Sequence, residues 1–216
     1  MVKEEDKGKR VTTGTMNLAE TFDNPQPLFP PGNIDRILMG LGTQRCQKFD
    51  NLFSKQVSNH LFQSKTENFG MDLVALNIQR GRDHGLPGYN AYRSLCGLPR
   101  ALKFADLSDV IKQDIIEELI EVYDNVDDID LFIGGVSEIP VGASLLGPTF
   151  RCLVGDQFKR LREGDRFFYD SIANPGKLSV EQLSEIKKTT LARIHCDNGD
   201  NVRTMQMQAF IQPSTE

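Results

Sequence analysis

The segment from Met71 to Gly88 constrains this chain more than any other, because its first half offers a helix almost no polar face. Met71, Val74, Ala75 and Ile78 fall on one side at helical spacing, and Leu73 and Leu76 fall on the other. A helix over Met71 to Asp83 whose first half is apolar nearly all round sits inside a larger protein. Its second half, Gln79-Arg80-Gly81-Arg82-Asp83-His84, turns abruptly polar, and Gly85-Leu86-Pro87-Gly88 ends it.

The same helical period recurs along the chain. The four prolines between Asn24 and Gly32 mark an extended loop, and Asn33 is a candidate N-cap for Ile34, Ile37, Leu38 and Leu41. Phe49, Phe53, Val57 and Leu61, widened by Leu52, predict a second helix with a buried face. A short helix over Asn90 to Leu95 closes at Gly97 and Pro99. A strongly helical stretch follows from Leu107 to Tyr123, with Val110, Ile111, Ile115, Leu119 and Val122 as its stripe. Phe150, Leu153, Val154, Phe158 and Leu161 predict another helix. Ser179 with Gln182 forms a capping box for a last one carrying Val180, Leu183 and Ile186. Convincing period-two strand runs, internal repeats and heptads do not occur. The expected fold is mainly α, with helices joined by long ordered loops. Residues 1–13 read as a charged, flexible tail ahead of one unit over 14–216.

A length of 216 residues can bury a sizeable core. The net charge of −5 gives no basic surface for nucleic acid, and no apolar run is long enough to cross a bilayer. The stretch from Val2 to Arg10 has no apolar core behind it, so a secretory leader is not expected within this sequence. Cys46, Cys96, Cys152 and Cys196 lie far apart without a CxxC pair. Their spacing permits three disulfide pairings, or buried reduced thiols.

The stretch Leu76-Asn77-Ile78-Gln79-Arg80-Gly81-Arg82-Asp83-His84-Gly85-Leu86-Pro87-Gly88-Tyr89-Asn90 resembles the signature of animal haem peroxidases, the group of myeloperoxidase, thyroid peroxidase, peroxidasin and chorion peroxidases. Four further stretches resemble that family in its own order. They are Gln47-Lys48-Phe49-Asp50-Asn51, Cys96-Gly97-Leu98-Pro99, Ile133-Gly134-Gly135-Val136-Ser137-Glu138 and Arg162-Glu163-Gly164-Asp165-Arg166-Phe167. The resemblance runs from about Thr15 onward and corresponds to the C-terminal part of the family's domain.

What the resemblance implies is specific. The family holds haem b through a proximal histidine on a helix preceding this region. The asparagine matching Asn77 accepts a hydrogen bond from that histidine, fixing its orientation. The arginine matching Arg80 pairs with a haem propionate, a carboxylate that suits a planar guanidinium. Spaced three apart, Asn77 and Arg80 share a helix face. From the residues alone, the plain reading is a polar helix end with satisfied side chains. Cys96 and Cys152 match positions that form a disulfide in the family. Cys196 matches a half-cystine whose partner lies further downstream, and Cys46, with no counterpart, is expected to be a free thiol.

The family's distal histidine and arginine, proximal histidine, haem-esterifying acids and calcium loop all precede the region this chain resembles. His60 is expected to be a structural histidine on the Phe53–Leu61 helix, His84 a hydrogen-bonding residue of the helix end, and His195 a surface loop residue. Arg82 and Asp83 are expected to form an ion pair. The expectation is therefore a fragment of a secreted, haem-dependent peroxidase that oxidises halide, phenol or tyrosyl substrates with hydrogen peroxide. It would be inactive without its N-terminal half. The alternative is a non-catalytic interaction module or decoy derived from a peroxidase.

Overall fold

Short polar side chains decide where many of the helices begin. Ser54, Asp72, Ser179 and Thr190 each accept a backbone N–H at a helix start, satisfying donors that the first turn leaves open. The computed structural model describes residues 2–4, 10–12, 14–200 and 202–211. Two short strands, β1 (Val2–Glu4) and β2 (Arg10–Thr12), precede α1 (Asn33–Thr43). Next come α2 (Lys55–Ser58), α3 (Leu73–Asp83), α4 (Tyr89–Leu95), α5 (Gln113–Val122), α6 (Leu131–Ser137) and α7 (Pro148–Gly164). The last helices are α8 (Val180–Ile186) and α9 (Leu191–Asn198). The chain is helical, with long loops.

It divides into two compact units, one from Lys48–Arg166 and one from Met1–Gln47 with Phe167–Glu216. In the second of these, Met39 of α1 packs on Val202 and Cys196, and the Gln206 amide donates to the Gly42 carbonyl at 2.6 Å. The capping box is complete. The Gln182 N–H reaches Ser179 Oγ at 3.2 Å, and the Ser179 N–H reaches Gln182 Oε1 at 2.8 Å. β1 and β2 pair antiparallel, Val2 opposite Thr12 and Glu4 opposite Arg10. Residues 1, 5–9 and 13 of the expected tail lie outside the described residues.

The Lys48–Arg166 unit is built on Tyr89, Ala101, Leu107, Ile111, Ile116, Leu119, Val126 and Ile129. Its tightest packing is at α6. A Cβ on Gly134 would lie 2.1 Å from the Tyr89 ring, and one on Gly135 would lie 2.3 Å from the Phe150 ring. The two glycines thus let α6 lie directly against α4 on one side and α7 on the other. Just past α6, Glu138 is 4% exposed and fully engaged. It accepts the Tyr89 hydroxyl at 2.7 Å, the Thr149 N–H at 2.8 Å and the Thr149 hydroxyl at 2.6 Å. Asn90 trades two bonds with the Ala101 backbone, and the buried Arg93 pairs with Asp109 and donates to the Pro99 carbonyl at 2.8 Å. A disulfide joins Cys96 to Cys152 with Cα atoms 5.9 Å apart, tying the end of α4 to the N-terminal part of α7. Cys46 and Cys196 are free thiols.

Three sequence expectations are corrected. The Phe49–Leu61 helix is only α2, because the Ser54 cap holds the preceding chain extended and Leu61 leaves to bridge Met71. The Leu107–Tyr123 helix is broken. Phe104–Asp109 forms a 3-10 turn, Ile111 bridges Glu138, and the Ile139 N–H bonds the Val110 carbonyl at 2.7 Å before α5 starts. Gly32, at φ 76°, is the residue before α1, and Asn33 is its first helical residue, whose amide donates to the Pro27 carbonyl at 2.9 Å.

Removing Glu138 strands three donors in the interior. Each buried donor left without a partner costs about 1–3 kcal/mol, so Glu138→Ala is expected to lower stability by about 3 kcal/mol or more, read as a fall in the urea midpoint at constant m value.

Candidate functional site

Asp72 starts α3 by accepting the N–H groups of Val74 and Ala75 at 2.8 and 3.2 Å. The helix ends where His84 turns its Nδ1 back to within 2.8 Å of the Arg80 carbonyl. Gly85, at φ 64°, reverses the chain in the left-handed region that glycine enters freely. Gly88 then passes so close to the Asp127 carbonyl that a Cβ would lie 2.5 Å from it, and the Tyr89 N–H bonds the Ile129 carbonyl at 2.8 Å. These contacts set the polar half of α3 against the Tyr123–Phe132 segment. Between them lies an open groove of about 870 Å3, with Asn77, Arg80, Arg82 and His84 on one wall and Tyr123, Asp128, Asp130 and Phe132 on the other.

The two arginines of the groove differ in state. Arg82 makes a two-bond fork with Asp130, Nε to Oδ1 at 2.9 Å and Nη2 to Oδ2 at 2.7 Å. The Tyr123 hydroxyl adds a third bond to Asp130 at 2.8 Å. Arg80 is exposed, and among the described residues its guanidinium makes no hydrogen bond or ion pair. The Asn77 side chain, half-buried on the same face, is likewise unpartnered among the described residues. The two side chains are therefore not the satisfied helix end that the residues alone suggest.

The expected Arg82–Asp83 pair does not form. Adjacent helical residues do not face each other, and Asp130 presents both oxygens to the fork. Asp83 instead lies 3.8 Å from His84 Nδ1. His60 sits beyond the short α2 rather than on a long helix, its Nδ1 2.6 Å from Gln63 Oε1. His195 is half-buried within α9, not in a loop, beside a small cavity with Met39 and Met205. Asp130 and Tyr123 were not legible as site residues. The only sequence hint is the acidic run Asp127-Asp128-Ile129-Asp130. Among the described residues, no group of three or more His, Cys, Asp or Glu is placed to hold a metal ion. No helix among the described residues is long and apolar enough to cross a membrane.

The electrostatics follow from the partners. The Arg82 fork, supported by Tyr123, holds the Asp130 carboxyl below the usual range despite its partial burial. The Asn90 amide and Arg100 do the same for Asp127. Burial, then the bond to Asp130, pushes the Tyr123 phenol up to about 12. Depressed carboxyls add stability that is complete above their unfolded value of about 4 and lost as pH falls towards the folded value. The raised phenol adds stability complete below its unfolded value of about 10, lost as pH rises towards the folded one. A melting-temperature profile against pH is expected to fall on both limbs. Asp130→Asn should flatten the acid limb and Tyr123→Phe the alkaline limb.

A sequence profile of the animal haem peroxidase family matches residues 1–210. The peroxidasin homolog pxn-1 of Caenorhabditis elegans is 39% identical over 209 residues, 95% of this chain and 16% of its own length. The peroxidasin homolog of Homo sapiens is 44% identical over 198 residues, 89% of this chain and 13% of its own. Among solved structures, peroxidase A from Dictyostelium discoideum superposes with a TM-score of 0.71 at 27% identity, covering 97% of this chain and 39% of that one. This chain thus spans 16% or less of these two curated relatives. Profile, identity and fold agree: the chain belongs to the animal haem peroxidase family.

Proposed function

We propose that this chain forms one wall of the haem pocket of a secreted peroxidase that uses hydrogen peroxide to oxidise halide, phenol or tyrosyl substrates. The observation that carries the reading is the contrast on α3. Asn77 and Arg80 open into the groove without partners among the described residues, while Arg82 beside them is engaged by Asp130. That donor set suits haem. A free guanidinium at a groove wall binds a propionate carboxylate, and a free carboxamide oxygen accepts the N–H of an imidazole, orienting that ring. Bound haem supplies the redox chemistry with peroxide, and these residues hold and orient it.

The family profile runs through both compact units, which supports reading residues 14–216 as part of one peroxidase domain. The Cys96–Cys152 bond supports an oxidising, extracellular setting. Of the three histidines, only His84 lines the groove, and the Arg80 carbonyl holds its Nδ1. The axial ligand and the distal base come from outside these residues, so the 216-residue chain alone does not turn over.

Haem and its dimethyl ester, titrated into the chain and followed by Soret absorbance, test the reading. Wild type is expected to prefer the free acid by roughly tenfold or more, the worth of a charge-assisted bond, and Arg80→Ala to lose that preference. Peroxide-driven oxidation by the mixture should match free haem. Equal binding of acid and ester by wild type contradicts the pocket, and turnover well above free haem contradicts the inactivity.

A further inference from the structure

We propose that Asp130 selects which arginine of the Arg80-Gly81-Arg82 pair meets a ligand's anionic group: by clamping Arg82 it leaves Arg80 as the guanidinium open to the groove. Only the identity of that anion, a haem carboxylate, rests on the preceding reading. Asp130 is in this sense a positioning residue, acting through Arg82.

The argument starts from spacing. Residues two apart on a helix do not face the same way, yet Arg80 and Arg82 both reach the groove wall at the end of α3. Two free guanidiniums there would offer an anion two registers. Asp130 removes one of them with a planar two-oxygen fork of 2.9 and 2.7 Å, the strongest pairing geometry available to arginine.

The clamp is held from several directions. Tyr123 donates to Asp130 Oδ2 at 2.8 Å, and the Asp130 carbonyl accepts the Gly134 N–H at 3.0 Å. The preceding Ile129 carbonyl accepts the Tyr89 N–H at 2.8 Å. Asp130 is only 13% exposed at its side chain, whereas Arg82 is 60% exposed. The carboxylate is therefore the fixed member, and the guanidinium is the one drawn to it.

The remaining acids of this wall leave Arg80 alone. Asp127 is taken by Asn90 and Arg100, and Asp128 makes no ion pair among the described residues. The pairing also raises the Arg82 guanidinium above its ordinary value, which slows reagents that need the neutral form.

Phenylglyoxal, an arginine-selective dicarbonyl, tests the clamp on the full chain with peptide mapping. In wild type, Arg80 is expected to react several-fold faster than Arg82, a comparison that needs no variant. In Asp130→Asn, Arg82 should rise several-fold while Arg80 stays unchanged. In the haem and ester titration, Arg80→Ala/Asp130→Asn should regain part of the acid preference that Arg80→Ala loses. Equal reactivity of the two arginines in wild type overturns the proposal, as does an unreactive Arg82 in Asp130→Asn. An intact reactivity contrast in a wild type that does not distinguish acid from ester upholds the clamp and contradicts the haem reading instead.

Discussion

The Lys48–Arg166 unit depends on one buried carboxylate. Glu138 is removed from water and receives three bonds, from the Tyr89 hydroxyl and from both donors of Thr149. Burying a carboxyl group is costly unless its oxygens find hydrogen-bond partners in good geometry, and here the partners come from two other helices. Glu138 therefore fixes α4, the end of α6 and the start of α7 relative to one another. The glycines at 134 and 135 make that approach possible by leaving room for the Tyr89 and Phe150 rings. The Cys96–Cys152 bond closes a span of 56 residues between the same helices, worth about 4 kcal/mol by restricting the unfolded chain.

The groove is a consequence of that arrangement. With Tyr89 held at both its hydroxyl and its N–H, Gly88 is pressed against the Asp127 carbonyl and the signature loop returns alongside the acidic segment. The charges there are then sorted by distance. Asp127 and Asp130 are spent on internal partners, and Arg82 with them, so the open polar side chains that α3 presents to the groove are Asn77 and Arg80. A polar helix end is left with open side chains at the groove because most of its neighbours are neutralised.

Local chemistry was legible in the sequence and long-range pairing was not. The Ser179–Gln182 box, the loop after Asp83 and the α7 stripe all follow from residues within a few positions of one another. The Phe49–Leu61 helix failed because four-residue spacing also arises in a loop whose aromatics pack individually, as Phe53 does on Phe132 with ring centroids 6.1 Å apart. The Leu107–Tyr123 helix failed because the Val110 and Ile111 backbone finds better partners at Glu138 and Ile139. Asp130 lies 48 residues from Arg82, beyond any local rule. The Cys96–Cys152 pairing was reachable only through family resemblance, since spacing left three choices open.

Ferric haem is its own paramagnetic probe, and its effect on the amide spectrum of the 15N-labelled chain tests the central claim most directly. Broadening concentrated on residues 77–88 and 127–132, with Asn77 and Arg80 among the first signals lost, is the predicted result. Broadening spread along the exposed Val154, Phe158 and Leu161 face of α7, with the groove signals unchanged, would contradict it.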